Sequence, residues 1–295
     1  MDPFADQPQS FPPDALMPAA MARRVEAVGE TKAMMPLASL FPLAILAGSF
    51  IALGAVFSVA ATAGGGMPPG VTRLLGGLTF SLGLLLVVVG GAELFTGNNL
   101  VMMAVASRRV TVRQLLRNWI VVYLGNLLGG VSTALLVFGA GHYRLGGGSV
   151  GVRTLEIAAT KTSLSFVEAV LLGVLANALV CLAIWLSFSA RSVTDKFVAI
   201  ILPVTAFVAA GFEHSVANMY YIPEALFIRA WGDDRFWSTS HRASGQFGSV
   251  DMRGFIVGNL LPVTIGNVIG GAGLVGLAYW FVYLRGDVAR TTSSR

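Results

Sequence analysis

Six long apolar stretches dominate this sequence and limit what it can fold into. They cover residues 36–63, 73–107, 114–141, 164–189, 196–231 and 253–284. A helix that spans a lipid bilayer needs about 20 mainly apolar residues, and each stretch is long enough. Only 12% of the 295 residues are charged, whereas an average globular protein has about 25%, so the chain lacks the ions to cover a soluble surface. We predict an all-α integral membrane protein with six transmembrane helices.

The distribution of basic residues predicts which way these helices run. Six passes place both termini on the same side of the membrane. Twelve Lys and Arg residues lie on that side and eight on the other, and residues 107–117 (SRRVTVRQLLR) form a compact basic loop. Cytoplasmic loops carry an excess of Lys and Arg. We therefore expect both termini in the cytoplasm.

The first 33 residues differ from the rest of the chain. Residues 1–18 are acidic and proline-rich and lack the basic and apolar regions of a signal peptide. Met17, Met21, Val25 and Val28 then recur on one helical face, which predicts a helix on the membrane surface or against the protein. We divide the chain into a cytoplasmic tail with an amphipathic helix, a six-helix transmembrane domain and a second cytoplasmic tail, at residues 1–33, 34–286 and 287–295.

A short string recurs in the third and sixth stretches. GNLLGG spans residues 125–130, and GNVIGG spans residues 266–271, 141 positions later. Small residues of this kind also pack membrane helices closely, but the matching places of the two strings among the six stretches favour an internal repeat. The sequence predicts two three-helix repeats, and an odd number of passes in each half makes the second repeat inverted relative to the first.

The second and fifth stretches correspond in this repeat, and polar residues interrupt each of them. GGAELFTGNN (residues 90–99) interrupts one, and GFEHSVANM (residues 211–219) interrupts the other. Paired glycine-interrupted segments are the best sequence indication of a binding site in a transporter. Non-helical backbone at membrane depth is buried in protein or lines a water-filled cavity, and helix N-termini favour anions. We predict broken second and fifth helices that form a pore for a small anion.

Polar side chains in and near the two breaks are the candidate site residues. His214 is the only histidine in the six stretches, and an ionisable residue at membrane depth is a functional-site hypothesis by default. A neutral imidazole bonded between helices is the alternative. Thr96, in the other break, either is the partner that orients His214 or bonds a carbonyl oxygen one turn earlier. Asn177 either lines the path or bridges helices, and Lys161 either attracts anions to the mouth of the pore or is an ordinary flanking lysine.

Three further residues are assigned to holding the broken backbone, namely Glu93, Glu213 and Asn218. An unpaired carboxylate is costly inside a membrane. We therefore expect the two glutamates to accept hydrogen bonds from exposed backbone N–H groups rather than to bind substrate.

The sequence also argues against several other functions. No residues are spaced as a metal site or a nucleotide-binding loop, and the net charge of +5 is not clustered as in a nucleic-acid-binding patch. An intramembrane enzyme that uses Glu213, His214 and Ser215 is disfavoured because adjacent helical residues point about 100° apart. We expect a protein that is not an enzyme and that uses no metal or organic cofactor.

Several motifs resemble those of the formate/nitrite transporter family. They are GAELFTGNN, NWIVVYLGNLLGG, EAVLLGVLANALVCLAIWLSFSARSVTDK and LPVTAFVAAGFEHSVANMYYIP, and the likeness extends over about residues 18–285. The resemblance implies an aquaporin-like fold with six helices per protomer and one pore in each subunit of a homopentamer. It also implies conduction of small monovalent anions such as formate, nitrite or hydrosulfide.

The resemblance assigns roles to individual residues. Four match the family's central pore histidine, the threonine that faces it, and the lysine and asparagine between which the anion is drawn in: His214, Thr96, Lys161 and Asn177. Five match its constriction leucines and pore phenylalanines, although spacing alone favours a packing role for them: Leu84, Leu94, Phe80, Phe95 and Phe207. The N-terminal helix MARRVEAVGETK resembles the segment proposed to cover the cytoplasmic mouth at low pH.

From the residues and the resemblance together we predict a pH-dependent channel or transporter for small monovalent weak-acid anions, above all formate. Burial disfavours a charged imidazole at His214 whereas a nearby anion favours it, so the residue suits proton coupling. A nitrite or hydrosulfide channel of the same fold is the alternative. A water or polyol pore fits less well because neither break carries an Asn-Pro-Ala signature.

Overall fold

The computed structural model describes residues 15–286, which form helices joined by loops and contain no strand. The helices are α1 (Pro18–Met34), α2 (Leu37–Thr62), α3 (Pro69–Gly90), α4 (Met102–Ala106), α5 (Val112–Gly139), α6 (Ser149–Thr162), α7 (Phe166–Ser189), α8 (Val193–Ala209), α9 (Ser215–Trp231), α10 (Asp234–Ser240) and α11 (Gly254–Tyr283). Short 3₁₀ turns lie at Gly97–Val101, His142–Arg144 and Ser244–Phe247. The predicted tail at residues 287–295 lies outside the described residues, as do residues 1–14 of the predicted N-terminal tail.

Among the described helices, five are long and apolar enough to span a membrane: α2, α3, α5, α7 and α11. The predicted fifth stretch is divided into α8 and α9, each of 17 residues. The predicted second stretch is divided after Gly90, where α3 ends, and continues as a 3₁₀ turn and α4. The all-helical class and the two broken segments are confirmed, and the count of six passes stays a prediction.

Hydropathy does not predict α6, because this 14-residue helix carries Arg153, Glu156 and Lys161 and is too short to span a bilayer. It precedes α7 as α1 precedes α2. Equivalent residues of the two helix pairs are 129 positions apart, as Lys32 and Lys161 are. Each half of the internal repeat therefore contains an additional short polar helix before its first long one.

Glycines bring the long helices of each half into close contact. A Cβ at Gly129 of α5 would overlap the carbonyl oxygen of Ile45 on α2. In the other half, a Cβ at Gly270 of α11 would overlap the carbonyl oxygen of Val174 on α7. Small residues are favoured at such contacts because lipid provides no hydrophobic driving force between helices. The glycines of the repeated GNLLGG and GNVIGG strings therefore have a packing role in both halves.

Of the two alternatives for the N-terminal helix, the structure selects packing against the protein. Met21 and Val25 of α1 are buried against side chains of α7 and α11, whereas Met17 is 59% exposed. The buried carboxylate of Glu26 accepts a bond from Arg109, 3.1 Å away in the basic loop before α5. α1 is therefore fixed to the side of the molecule where the first break opens.

The loop at residues 232–251 packs beside α6. Phe236 of α10 is buried edge-on to Tyr143, with 5.2 Å between ring centroids. Asp233 accepts the N–H of Phe236 at 2.7 Å, which caps α10, and it pairs with Arg144 at 2.7 Å. The backbone hydrogen bond first, and the Arg144 charge after it, hold the pKa of Asp233 below its usual value.

Candidate functional site

The first break follows α3, and the side chain of Asn126 on α5 holds it in place. Gly91 ends α3 with a left-handed φ of 73°, which glycine adopts without strain. The amide nitrogen of Asn126 donates to the carbonyl oxygens of Glu93 (2.9 Å) and Ala44 (2.7 Å). Its amide oxygen accepts the N–H of Phe95 at 2.8 Å. One side chain thus satisfies three backbone groups, which would be costly to bury unpaired.

The second break, between α8 and α9, is held in the same way by Asn267 on α11. Its amide nitrogen donates to the carbonyl oxygens of Glu213 (3.0 Å) and Gly173 (2.8 Å). Its oxygen accepts the N–H of Ser215, the first residue of α9, at 2.9 Å. Asn126 and Asn267 are the asparagines of GNLLGG and GNVIGG, so the recurring string marks the residues that secure the two breaks.

The carboxylate of Glu93 belongs to a hydrogen-bond network at the first break. It accepts from Lys32 Nζ at 2.8 Å and from the amide nitrogen of Asn98 at 2.7 Å. Asn98 also donates to the amide oxygen of Asn118 at 3.0 Å. Asn118 in turn donates to the carbonyl oxygen of Lys32 at 3.0 Å, which links α1 to α5 through the break.

Glu213 lies in the equivalent set at the second break. It accepts from Lys161 Nζ at 2.9 Å and from the amide nitrogen of Asn218 at 2.7 Å. Asn218 donates to the amide oxygen of Asn259 at 2.6 Å, and Asn259 donates to the carbonyl oxygen of Lys161 at 3.0 Å. The two networks use one lysine, one glutamate and two asparagines each and share these four bonds. Each also has one bond that the other lacks: Lys32 Nζ donates to the amide oxygen of Asn98 at 3.0 Å, and the amide nitrogen of Asn259 donates to Glu213 at 3.1 Å.

The expectation that Glu93 and Glu213 accept backbone N–H groups is wrong. Their donors among the described residues are side-chain ammonium and amide groups. Asn126 and Asn267 take the backbone groups of the breaks, which leaves the carboxylates to neutralise one lysine each. Charge pairing of this kind satisfies an ion that lipid cannot solvate.

Thr96 and His214 meet between the two breaks. Thr96 Oγ1 lies 2.9 Å from His214 Nε2, and both side chains are buried. His214 Nδ1 accepts the N–H of Ala217 at 3.1 Å and so caps α9. Because Nδ1 is an acceptor, a neutral His214 carries its proton on Nε2, which then donates to the Thr96 oxygen. The Thr96 hydroxyl proton is thereby left to donate to a third group.

Two cavities lie near this pair, one lined by Leu94 and Gly97, which flank Thr96 in the chain, and the other by His214 itself. The first, here called the α1 vestibule, has a volume of about 530 Å³ and is lined among others by Arg24, Lys32, Glu93, Leu94, Gly97 and Arg191. The second, here called the α6 vestibule, has a volume of about 440 Å³ and is lined among others by Phe80, Arg153, Lys161, Phe207, Glu213 and His214. Each vestibule therefore contains the Lys–Glu pair of its own break.

Two aromatic rings line the α6 vestibule beside His214. Phe80 and Phe207 pack edge to face with centroids 5.9 Å apart, and Phe207 stacks on the His214 ring, also at 5.9 Å. Apolar side chains narrow a pore and resist wetting. These positions agree with the prediction that both phenylalanines form a constriction, which stays a prediction.

The other predicted constriction residues have different surroundings. Leu94 lines the α1 vestibule, and Leu84 is buried in the core. The ring of Phe95 packs edge-on against Tyr123 and Trp119 of α5, at 4.9 and 6.2 Å. Among these three, Leu94 therefore holds the place best suited to a constriction on the α1 side.

Asn177 bridges helices. Its amide nitrogen donates to the side-chain oxygen of Asn99 at 3.0 Å and to the carbonyl oxygen of Asn267 at 2.6 Å, and the residue is fully buried. Of the two alternatives considered for it, this geometry matches the bridging one. Its place in an anion path stays a prediction.

Five residues that hold the two breaks were not predicted from the sequence: Lys32, Asn118, Asn126, Asn259 and Asn267. A signal for four of them was present, because the asparagines recur in the third and sixth apolar stretches at the 141-position offset of the repeated string. Lys32 was hidden because its helix lies outside the six apolar stretches. Between residues 15 and 286, no three His, Cys, Asp or Glu side chains lie close enough to share a metal ion.

Comparisons with known proteins agree with this architecture. A model of the family described as formate/nitrite transporter matches residues 19–281. The chain belongs to this family. Formate channel FocA of Escherichia coli strain K12 is 49% identical over 275 residues, which cover 93% of this chain and 96% of that protein. Formate channel FocA of Haemophilus influenzae is 43% identical over 238 residues, 80% of this chain and 84% of that protein.

A solved structure described as a pentameric formate channel with formate bound superposes on this formate/nitrite transporter with a TM-score of 0.81. It is 44% identical in sequence, and the match covers 84% of this chain and 98% of that one. Family membership and the long apolar helices make the protein a multi-pass membrane protein. Relatives that are channels by name argue against an intramembrane enzyme built on Glu213, His214 and Ser215.

Proposed function

We propose that this formate/nitrite transporter is a formate channel that assembles as a homopentamer with one pore in each subunit. The support is the high identity to proteins named formate channels and the likeness to a pentameric formate channel with formate bound. The basic loop around Arg108 and Arg109 supports a bacterial inner-membrane location with cytoplasmic termini, which places the α1 vestibule inside the cell.

The observation that carries the proposal is the Thr96–His214 hydrogen bond between the two vestibules. Formate leaves the α6 vestibule, passes Phe80 and Phe207, meets the Thr96 hydroxyl and continues past Leu94. Because the His214 proton on Nε2 occupies the Thr96 oxygen, the hydroxyl proton points to the passing carboxylate. A charge-assisted hydrogen bond of this kind is shorter and stronger than a neutral one. It offsets part of the hydration free energy that formate loses when it leaves water.

Proton coupling depends on the same bond pattern. A neutral His214 supplies a hydrogen bond through Thr96 but no proton, because removing Nε2–H would leave an imidazolate. Transfer of a proton to formate requires the imidazolium, in which Nδ1 is protonated and releases the N–H of Ala217. Formate in the site favours this cation and burial opposes it. We infer that acidic conditions increase passage as formic acid, so the pore carries a pH-dependent flux.

Uptake of ¹⁴C-formate by proteoliposomes at two pH values tests this function, with wild type and His214→Phe compared. The wild type should take up formate faster at the lower pH, and His214→Phe should lose this pH dependence. Undiminished pH-dependent flux through His214→Phe would remove the proton role from the imidazole. Empty liposomes correct for formic acid that crosses lipid unaided.

Nitrite is the second candidate substrate, because it is also a small monovalent anion with two oxygen atoms, and hydrosulfide is a third. Competition by each of the two anions against ¹⁴C-formate at both pH values ranks the three. A water or polyol pore would instead give rapid osmotic swelling in stopped-flow measurements without formate uptake. Charged residues in both vestibules, such as Arg24 and Arg153, support an anion over a neutral solute.

A further inference from the structure

The α6 vestibule contains a basic side chain that neither the break network nor the proposed pore uses. Arg153, Ile157 and Lys161 all line this vestibule, and their spacing places them on one face of α6. At 1.5 Å per residue, Arg153 lies about 12 Å farther along the helix than Lys161. Arg153 therefore lines the vestibule about two helical turns away from the Lys161–Glu213 pair.

Lys161 contributes little free positive charge to this vestibule. Its ammonium lies 2.9 Å from the Glu213 carboxylate, and the two side chains are only 14% and 5% exposed. The other carboxylate that lines the vestibule, that of Glu156, is bonded by Arg242 at 3.3 Å. Attraction of anions by Lys161 alone is therefore weakened by its own partner.

Arg153 has no such partner. Its guanidinium forms no hydrogen bond and no ion pair with any residue in the described part of the chain, and its Nε is a buried donor without an acceptor. A charged donor that is buried is costly to leave unbonded. An anion that enters the vestibule can supply the acceptor.

We propose that Arg153 is the binding residue of an outer loading site in the α6 vestibule, selective for small anions with two oxygen atoms on one centre. The planar guanidinium matches formate or nitrite with two parallel hydrogen bonds, which a single-atom anion such as hydrosulfide cannot form. The site rests on the proposed formate channel function and adds to it the residue that captures the anion first.

The internal repeat supports this site independently. Arg24 of α1 is the residue 129 positions before Arg153, the same offset that relates Lys32 to Lys161. Arg24 lines the α1 vestibule as Arg153 lines the other one. Each vestibule thus has an arginine about two helical turns outside the lysine of its break.

Formate uptake from each side of the membrane tests the site. Intact cells and inverted membrane vesicles, both from a strain without its own formate channel, expose opposite vestibules to added ¹⁴C-formate. Arg153→Gln should raise the half-saturating formate concentration about tenfold, the size expected for loss of a charge-assisted bond, and leave the maximal rate unchanged. Half-saturation should change in one preparation only, the one that presents the α6 vestibule to added formate. In the other preparation the maximal rate should fall by the same factor, because a substitution cannot alter the transport equilibrium.

Two further variants separate a binding site from a general charge effect. Arg235→Gln removes one positive charge from α10, outside the vestibule, and should change half-saturation less than about twofold because exposed charges are screened by salt. Arg153→Lys keeps the charge without the planar fork. Arg153→Lys should weaken the binding of formate and of nitrite about threefold and leave inhibition by hydrosulfide unchanged.

Each outcome decides one claim. Unchanged half-saturation in Arg153→Gln, an equal change in both preparations, or an equal effect of Arg235→Gln overturns the site at Arg153 and leaves the formate channel in place. Failure of the wild type to take up formate overturns the proposed function instead. In that case, stabilisation of the detergent-solubilised protein by formate against heat, present in the wild type and absent in Arg153→Gln, still tests the anion site.

Discussion

The two breaks are held in place by similar sets of Lys, Glu and Asn residues, but the side chains that meet between them, Thr96 and His214, are different. Four hydrogen bonds recur in the two sets, Lys32, Glu93, Asn98 and Asn118 in one and Lys161, Glu213, Asn218 and Asn259 in the other, and the ammonium–carboxylate distances are 2.8 and 2.9 Å. The Asn–Glu distances are both 2.7 Å. Opening a helix inside a membrane creates the same unpaired backbone groups in either half, so one solution serves both breaks.

The residues that meet in the middle do not follow the repeat. The offset of 120 positions that relates Glu93 to Glu213 pairs His214 with Leu94 and Thr96 with Val216. One hydroxyl and one imidazole therefore meet from non-equivalent positions of the two breaks. The groups that follow the repeat hold the two breaks, whereas the two groups that depart from it are those proposed to act on the anion.

The largest expected effect comes from removing the side chains that secure the breaks. Asn126→Leu and Asn267→Leu each leave two backbone groups of a break unbonded, at about 1–3 kcal/mol per group, whereas the third carbonyl keeps its bond within a helix. We expect each variant to lose about 2–6 kcal/mol of unfolding free energy and to yield little intact oligomer. Unfolding in detergent and gel filtration measure both quantities. If one variant lost much less unfolding free energy than the other, the two asparagines would not have equivalent roles in the two breaks.

A smaller and unequal pair of effects is expected at the glutamates. Lys161 is 14% exposed and Lys32 is 27% exposed, so an unpaired Lys161 is solvated less well. We expect Glu213→Gln to cost about 2–4 kcal/mol of unfolding free energy and Glu93→Gln about 1 kcal/mol. Detergent unfolding at neutral pH measures both. Adding Lys161→Met to Glu213→Gln should recover stability, and further loss would show that the pair is not the cause.

The sequence predicts the helices and the positions of the two breaks, but not the side chains that hold the breaks in place. Apolar length and periodicity indicate the long helices, and GGAELFTGNN and GFEHSVANM indicate the breaks. The bonding partners of Glu93 and Glu213 were mispredicted, because Asn126 and Asn267 lie in other helices and only the packing brings them to the breaks. Arg153 was not singled out, since an arginine in a polar segment resembles an ordinary flanking residue until its helix and its unbonded donor are known.

The unlike pore residues give the next prediction. Thr96→Val keeps the shape of the side chain but removes the hydroxyl that bonds His214 and is proposed to donate to formate. We expect formate flux to fall about tenfold, equivalent to about 1.4 kcal/mol. Val216→Thr places a hydroxyl at the equivalent position of the other break. This control should change flux less than about twofold in the same proteoliposome assay.

The smallest effect is expected in a segment that the first half of the repeat lacks, the loop at residues 232–251. Asp233→Ala removes both the cap of α10 and the Arg144 pair, whereas Asp233→Asn keeps a capping oxygen. Amide hydrogen exchange across α10 should rise clearly in the first variant and little in the second, with formate flux unchanged in both.

The pH dependence of this cap has a definite sign. Because the pKa of Asp233 is depressed by the Phe236 N–H and then by Arg144, its contribution is complete above the unfolded value of 3.8 and is lost as the pH falls through the folded value. Wild-type protection of α10 should therefore approach that of Asp233→Ala only below pH 3.8. If instead Asp233→Ala lowered formate flux at neutral pH, the loop would belong to the pore, and the pore would depend on a segment that has no counterpart in the first half.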